Sequence, residues 1–303
     1  MDRPDHIRNP IEWGFDQFRL AAAAVESLGH SLRGSEETRN AELPEIRRIK
    51  LADLKDVLAR GLGDFEAYRS DVMFLCLIYP LIGISLVWLT FGYKMLPLVF
   101  PLAFGFALVG PVAAVGLYEM SRRREQGIPT TWIDAFGAIR APGFGAILVL
   151  GLVLLMILLF WLIAANWIYQ STLGPEPPIS IGAFIRDVFT TTAGWRMIIV
   201  GLGVGIVFAF LVLVISVVSF PLLLDRDVGL DVAVSTSIRA VAANPGPMLL
   251  WGLIVAGGLL IGSIPAFLGL VFVLPVLGHA TWHLYRKVVE PSTSQSALAS
   301  GPN

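Results

Sequence analysis

The stretch that decides the fold runs from Met248 to Leu284 and reads MLLWGLIVAGGLLIGSIPAFLGLVFVLPVLGHATWHL. It carries no charged side chain, and as a single helix it would be about 55 Å long at about 1.5 Å per residue. The hydrocarbon core of a bilayer is only about 30 Å thick. The chain must therefore turn back, and Gly262 to Pro265 supply the break, because proline lacks an amide hydrogen and disfavours helix in the residue before it.

Four other stretches lack charge, and each is long enough for a helix that crosses hydrocarbon. They are Val72 to Tyr93, Met95 to Tyr118, Ala141 to Leu173 and Met197 to Leu224. Together with the final pair they predict an all-α, polytopic membrane protein with six transmembrane helices. We place the spans at 72–93, 96–118, 144–169, 197–223, 248–264 and 267–285.

Three regions follow from these spans. Residues 1–70 are predicted to be a cytoplasmic N-terminal region with amphipathic helices, residues 71–288 the six-span domain, and residues 289–303 a disordered cytoplasmic tail. An even number of spans puts both termini on one side. Of the 22 Lys and Arg residues, all except Lys94, Arg186 and Arg196 fall on that side, so the positive-inside rule places both termini in the cytoplasm. We expect a multi-pass membrane protein.

Composition narrows the function classes. The chain is 55% hydrophobic and 15% charged, with a net charge of -1, whereas soluble proteins average about 25% charged residues. No basic run lies outside the membrane flanks, so we expect no nucleic-acid partner. The first seventy residues lack the apolar core of a secretory signal, so we expect them to be retained. Cys76 is the single cysteine, which excludes a disulfide framework and a thiolate metal cluster.

Amphipathic helices are predicted before the first span. One begins at Asn9 and Pro10, where Asn can cap and Pro can open a helix. Another follows at 53–68, with an apolar face made of Leu54, Val57, Leu58, Leu62 and Phe65. We expect this second helix to lie along the cytoplasmic interface and lead into span one. The alternative is a helix that binds a partner or anionic lipid.

An internal repeat is a further hypothesis. Spans two and four are each followed by a short amphipathic helix, then by Ile-Arg-Ala at 139–141 and 238–240, then by Pro-Gly at 142–143 and 245–246. A parallel duplication of span, surface helix and span would produce this order, as in some transporters. The alternative is that there is no duplication. In that case, any loop on the inner side would end in basic residues, and the next helix would begin with Pro-Gly.

Polar residues collect at the predicted cytoplasmic ends of the spans. The candidate cluster is Glu119, Asp225, Arg226, Arg239, His279 and His283. Polar groups at this depth need partners, so they either converge on one polar pocket or face headgroups and water separately. The spacing of His279 and His283 can place two imidazoles on one metal, but no Glu completes a zinc motif. We therefore predict no metal, no cofactor and no catalytic residue.

Small residues mark predicted helix contacts. Gly201 with Gly205, and Gly258 with Gly262, are GxxxG pairs that let helices approach closely, within the bundle or between subunits. The middles of the spans carry no Asp, Glu, Lys or Arg, which ion-coupled transporters usually keep there. The partners that we expect are the lipid bilayer and either other membrane proteins or a second copy of the chain.

Four motifs together resemble a known family. They are DLKDVLARGLGDF at 53–65, GLYEMSRRRE at 116–125, SFPLLLDRDVG at 219–229 and PVLGHATWHLYRK at 275–287. The chain resembles, over about 43–288, the bacterial integral membrane proteins of domain-of-unknown-function family 2189. The resemblance implies a bacterial inner membrane as the location. Some relatives carry the label cytochrome c oxidase, which implies haem, but two span histidines are too few for the centres of an oxidase.

Three functions follow as hypotheses. The first is a non-catalytic assembly, scaffold or envelope factor. The second is a permease or flippase-like carrier for an apolar or lipidic solute. The third is a haem- or metal-binding respiratory accessory protein.

Overall fold

The computed structural model describes residues 43–92 and 95–290. Within these residues the regular structure is helical, apart from one isolated antiparallel bridge between Ile46 and Val289. The helix predicted after Asn9, the histidines His6 and His30, and residues 291–303 of the predicted tail lie outside the described residues.

The helices follow one another along the chain with short connections. They are α1 Asp53–Ala67, α2 Arg69–Cys76, α3 Ile78–Gly92, α4 Val99–Ala113, α5 Val115–Glu125, α6 Phe144–Thr172, α7 Ile181–Thr190, α8 Thr192–Ser216, α9 Ser219–Asp225, α10 Leu230–Ala243, α11 Pro245–Ser263 and α12 Leu270–Val288. Two 3₁₀ helices lie at Leu96–Leu98 and Trp132–Arg140.

Four helical segments of the described chain are long and apolar enough to cross a membrane. They are Arg69–Leu86, Phe144–Thr172, Thr192–Asp225 and Pro245–Ser263. They coincide with predicted spans one, three, four and five. Span two is divided at Ala114 between α4 and α5. Span six corresponds to α12, which has Arg286 and Lys287 in its last turn. The fold is thus all-helical with four candidate spans, and the count of six stays a prediction.

The last two helices form an antiparallel hairpin. Helix α11 ends at Ser263 and α12 begins at Leu270, so the chain turns at the break predicted from Gly262 to Pro265. A Cβ built on Gly258 would lie 3.2 Å from Leu277, and one built on Gly262 would lie 2.9 Å from Leu270. These two glycines therefore face α12.

The two glycines of the other pair, Gly201 and Gly205, have different surroundings. A Cβ on Gly205 would lie 3.1 Å from the Trp161 ring on α6, whereas nothing lies within 4 Å of one on Gly201. Gly205 thus packs inside the bundle, and Gly201 has open space beside it.

Helix α1 lies against α12, and its predicted place along the cytoplasmic interface stays a prediction. A Cβ built on Gly61 would lie 2.6 Å from both the amide nitrogen and the Cβ of Ala280, so the two backbones are in close contact. The buried face also contains Asp64, whereas Leu62, placed on the apolar face from the sequence, is 45% exposed. The helix is therefore part of the bundle.

The segment before α1 is tied to the end of α12. Arg47 donates its amide to the Val288 carbonyl at 2.8 Å, and Glu290 donates to the Glu45 carbonyl at 3.1 Å. Asn244, at the end of α10, accepts from the Ile49 amide at 2.7 Å through Oδ1. Residues 289 and 290, predicted to begin the disordered tail, are thus paired with residues 45–47.

The two predicted repeat units contain the same order of elements. Each has a long helix with a break, at Ala114 or at 217–218, then a short inner helix, a further helix, and a helix that returns. The third element is 3₁₀ at Trp132–Arg140 and α-helical at Leu230–Ala243.

Candidate functional site

Polar side chains gather at one end of the bundle, which we call the charged end. It is built by α1 with Asp64, by α5 with Ser121 and Arg124, and by α12 with His279 and His283. Residues three or four apart share one helix face, so α5 and α12 each turn a pair of polar residues towards Asp64. The sequence thus places these groups on three helix faces, and packing of the helices brings them together.

Asp64 is the centre of the hydrogen-bond network at this end. Its Oδ2 accepts from Ser121 Oγ at 2.6 Å and lies 2.9 Å from His283 Nε2. Its Oδ1 accepts from Arg124 Nη1 at 2.6 Å. Ser121 Oγ lies 2.8 Å from His279 Nδ1. Asp64, Ser121, His279 and His283 are at most 7% exposed, so the network is inside the protein.

If Asp64 is ionised, the contacts in this network determine which group donates each hydrogen bond. A carboxylate can only accept, so Ser121 must donate its hydroxyl hydrogen to Asp64. The Ser121 oxygen is then free to accept, so His279 Nδ1 carries the hydrogen in this contact. His279 Nε2 is buried and has no hydrogen-bond partner among the described residues. The neutral ring would keep an unfilled acceptor there.

The charge of Asp64 is stabilised by its neighbours. Burial by itself raises the pKa of this carboxyl, but hydrogen bonds from His283 and Ser121, with the nearby positive charge, lower the pKa below 3.8 overall. Hydrogen bonds to the charged form favour that form. The network therefore holds a buried carboxylate rather than a buried acid.

A chain of ion pairs joins this network to a second group. His283 Nδ1 lies 3.7 Å from Glu125, which pairs with Arg286 at 3.2 Å. Arg286 also approaches Asp225 at 3.5 Å, and Asp225 accepts from the Tyr285 hydroxyl at 2.7 Å. The polar residues of α5, α9 and α12 thus form one connected set.

The structure brings together only some of the six residues predicted from sequence. His279, His283, Asp225 and Arg226 belong to the connected set, since Arg226 lies 3.9 Å from Asp225. Glu119 pairs separately with Arg122 at 2.8 Å. Arg239 lies apart and points to the Pro44 carbonyl at 3.5 Å.

Sequence reasoning missed the residues at the centre of the set, namely Asp64, Ser121 and Arg124. One signal was available for Asp64. It lies three residues after Gly61, on the side of α1 where Leu54, Val57 and Phe65 are also buried. A carboxylate on an apolar face needs a partner, and this could have linked α1 to the histidines.

The chemistry open to the charged end is limited by its burial. Ser121 and His279 are both 0% exposed, so no substrate reaches the hydroxyl without a rearrangement. Within residues 43–92 and 95–290, His, Cys, Asp and Glu form no group of three that could hold a metal ion. The arrangement can exchange protons among its own members, and it can hold helices together.

A second feature is an apolar cleft in the interior of the bundle. Its volume is about 120 Å³, and helices α4, α5, α8, α11 and α12 line it. Its walls include Tyr118, Val212, Trp251 and Leu277, and Ala209 lies at its exposed edge. Helix α12 therefore contributes to both the cleft and the charged end.

The fold and the composition define a helical integral membrane protein. The family model described as "Predicted integral membrane protein (DUF2189)" matches residues 99–225 and confirms the resemblance found in the sequence. The matched part is narrower than the expected 43–288, because the motifs at 53–65 and 275–287 lie outside it. No curated protein and no solved structure gives a significant match to this chain.

Proposed function

We propose that this protein acts without its own catalysis, as an assembly, scaffold or envelope factor of a bacterial inner membrane. In this proposal the chain crosses the membrane six times and keeps both termini in the cytoplasm. The charged end then lies at the cytoplasmic side, and the proposed partners are other membrane proteins.

One observation carries the proposal. The side chains that could perform chemistry are buried and bonded to one another, with Asp64 taking hydrogen bonds from three partners. Buried polar groups that are bonded to one another can fix one arrangement of the helices. The network joins α1, α5 and α12, so its direct effect is to fix the N-terminal segment onto the span domain.

The test is purification of the tagged full chain from its own membranes in a mild detergent, followed by mass spectrometry. We expect a defined set of membrane proteins in fixed ratio to the tagged chain. Gly61→Ala, which pushes α1 from α12, should lose this set, whereas Gly63→Ala should keep it, since a Cβ there meets nothing within 4 Å. A chain that purifies alone from native membranes would contradict the proposal.

The proposed topology has its own test. Reporter domains fused to the N-terminus and to the C-terminus should both be active on the cytoplasmic side. Termini on opposite sides would overturn the six-span count, whatever the partners are.

A second candidate function is a carrier for an apolar or lipidic solute. The observation that favours it is the matching order of elements in α4 to α6 and in α8 to α11, since transporters of several kinds are built from repeats. Its test is movement of a fluorescent phospholipid across vesicles that contain the purified chain. Movement at the rate of protein-free vesicles would exclude it.

A further inference from the structure

We infer that the apolar cleft is a binding site for one hydrocarbon chain, which enters sideways from the bilayer. The inference does not depend on whether the protein is an assembly factor or a carrier, because it concerns only what occupies the cleft. It rests on the position of the opening, on the chemistry of the walls and on the size of the space.

The opening lies at the depth of lipid tails. Ala209 is exposed at the edge of the cleft and lies near the middle of the candidate span Thr192–Asp225. Trp251, which also lines the cleft, is 1% exposed. A molecule that reaches Ala209 from outside must therefore come through the hydrocarbon core, where headgroups and water are absent.

The walls of the cleft are mainly apolar. Ser216 Oγ donates to the Val212 carbonyl at 2.6 Å, and Thr281 Oγ1 donates to the Leu277 carbonyl at 2.7 Å, so these two hydroxyl groups are bonded inside the protein. Most of the other lining residues are aliphatic, which favours an apolar occupant and disfavours water.

The size of the cleft fits the end of a chain rather than a whole lipid. The volume of about 120 Å³ is close to that of an apolar protein cavity of about 150 Å³ that binds benzene. A few methylene groups fill such a space, and each buried methylene group favours binding. The occupant is therefore the terminal part of a hydrocarbon chain, with the rest of the molecule remaining in the bilayer.

The test uses chains that carry a photoreactive diazirine near the methyl end. One arm uses a phospholipid with such an acyl chain, and the other uses the free fatty acid, which separates a membrane lipid from a free solute as the source. The purified full chain in vesicles is irradiated, and labelled peptides are mapped by mass spectrometry. We expect labels on cleft residues such as Val212 and Trp251 in at least one arm.

Matched variants separate the cleft from the general lipid surface. Ala209→Phe fills the opening and should reduce cleft labelling about tenfold, because it displaces about two methylene groups from the cleft. Val207→Phe is the control, since Val207 is 66% exposed and does not line the cleft. A second variant, Ala256→Leu, fills the cleft from the α11 wall. It tests the same prediction if Ala209→Phe fails to fold.

The outcomes are distinct from those of the partner experiment. The inference would be overturned if only lipid-facing residues were labelled. It would also be overturned if cleft labelling were equal in the folded variants Ala209→Phe, Ala256→Leu and Val207→Phe. Loss of cleft labelling in Ala209→Phe with unchanged co-purifying proteins would support the site without bearing on the assembly proposal.

Discussion

The charged end and the lipid-facing spans use apolar sequence in different ways. All residues from 277 to 285 in α12 are buried by the surrounding protein. In contrast, only 6% of the most apolar window of Thr192–Asp225 is buried. Residues 277–285 and residues 197–224 contain no Asp, Glu, Lys or Arg, but α12 is surrounded by protein and the other segment is left to lipid. Hydropathy alone cannot separate these two surroundings, since lipid tails and protein interiors are both apolar.

The difference explains where polar groups are found. In α12, His279 and His283 are buried because other helices supply partners for them. The exposed middle of Thr192–Asp225 has no such neighbours, and its sequence contains no ionisable group before Asp225 except Arg196. Buried polar groups are tolerated only where the protein bonds them. The charged end should therefore be sensitive to small changes that the lipid-facing surface tolerates.

Loss of the Asp64 carboxylate should have the largest effect. Asp64→Ala leaves Ser121, His283 and Arg124 without their common acceptor, and breaking a buried ion pair costs about 3 to 5 kcal/mol. The free energy of unfolding, measured by titration from mild detergent into SDS, should fall by this order. Asp56→Ala is the control, because its side chain is 44% exposed in its pairs with Arg60 and Lys287, and such pairs should contribute less than about 1 kcal/mol. Equal losses in both variants would remove the distinction between the two regions.

The pH dependence tests whether Asp64 is buried as an ion. Its folded pKa lies below 3.8, so the stability it adds is fully present above that value and is lost as the pH falls through the folded pKa. The difference in melting temperature between the natural chain and Asp64→Asn should stay constant from about pH 7 to about pH 5 and narrow only below about pH 4. A difference that already narrows above about pH 5 would mean that Asp64 is protonated in the folded protein.

The contact between α1 and α12 is tested by two glycines that lie two residues apart. Gly61→Ala would drive a methyl group into the backbone of Ala280, and overpacking of this kind costs about 1 to 3 kcal/mol. Gly63→Ala meets open space and should stabilise the helix by up to about 1 kcal/mol. Maleimide labelling of Cys76, which is 0% exposed and clusters with Phe65, gives a local measurement. Labelling should become faster in Gly61→Ala alone, and faster labelling in both variants would contradict the close contact.

The described helices could largely be predicted from the sequence, because length and lack of charge determine where a helix can cross a bilayer. The break at 262–265 and the helix at 53–67 were found from proline, glycine and periodicity. The surroundings of α1 and α12 could not be predicted in the same way. Contacts such as Asp64 with His283 join residues that are 219 positions apart. The local pattern indicates that Asp64 needs a partner, but it does not say which residue the partner is.

The candidate site shows the same limit. The sequence indicated His279 and His283 through their spacing, and it grouped them with Glu119 and Arg239 because all four were predicted at span ends. Two residues at the same depth in the membrane can still lie on different sides of the helix bundle. The structure pairs Glu119 with Arg122 and leaves Arg239 near Pro44. Side-chain packing sets the rotation of each helix about its own axis. This rotation decides which residues at the same depth come into contact.

The smallest expected effect concerns the segment that leads into α1. Asn244 is 3% exposed and holds this segment through the Ile49 amide at 2.7 Å and the Arg47 carbonyl at 3.1 Å. Asn244→Ala leaves these backbone groups without a partner and should cost about 1 to 2 kcal/mol. Asn166→Ala is the control on the lipid-facing side, since Asn166 is exposed and should change stability by less than about 0.5 kcal/mol.

Trypsin gives the readout that is local to this segment, because Arg47, Arg48 and Lys50 are cleavage sites within it. Cleavage there should become faster in Asn244→Ala and stay unchanged in Asn166→Ala. If the two variants are cut at the same rate, the side chain of Asn244 does not hold the segment. The pairing of residues 45–47 with residues 288–290 would then be the contact that ties the start of the described chain to the end of α12.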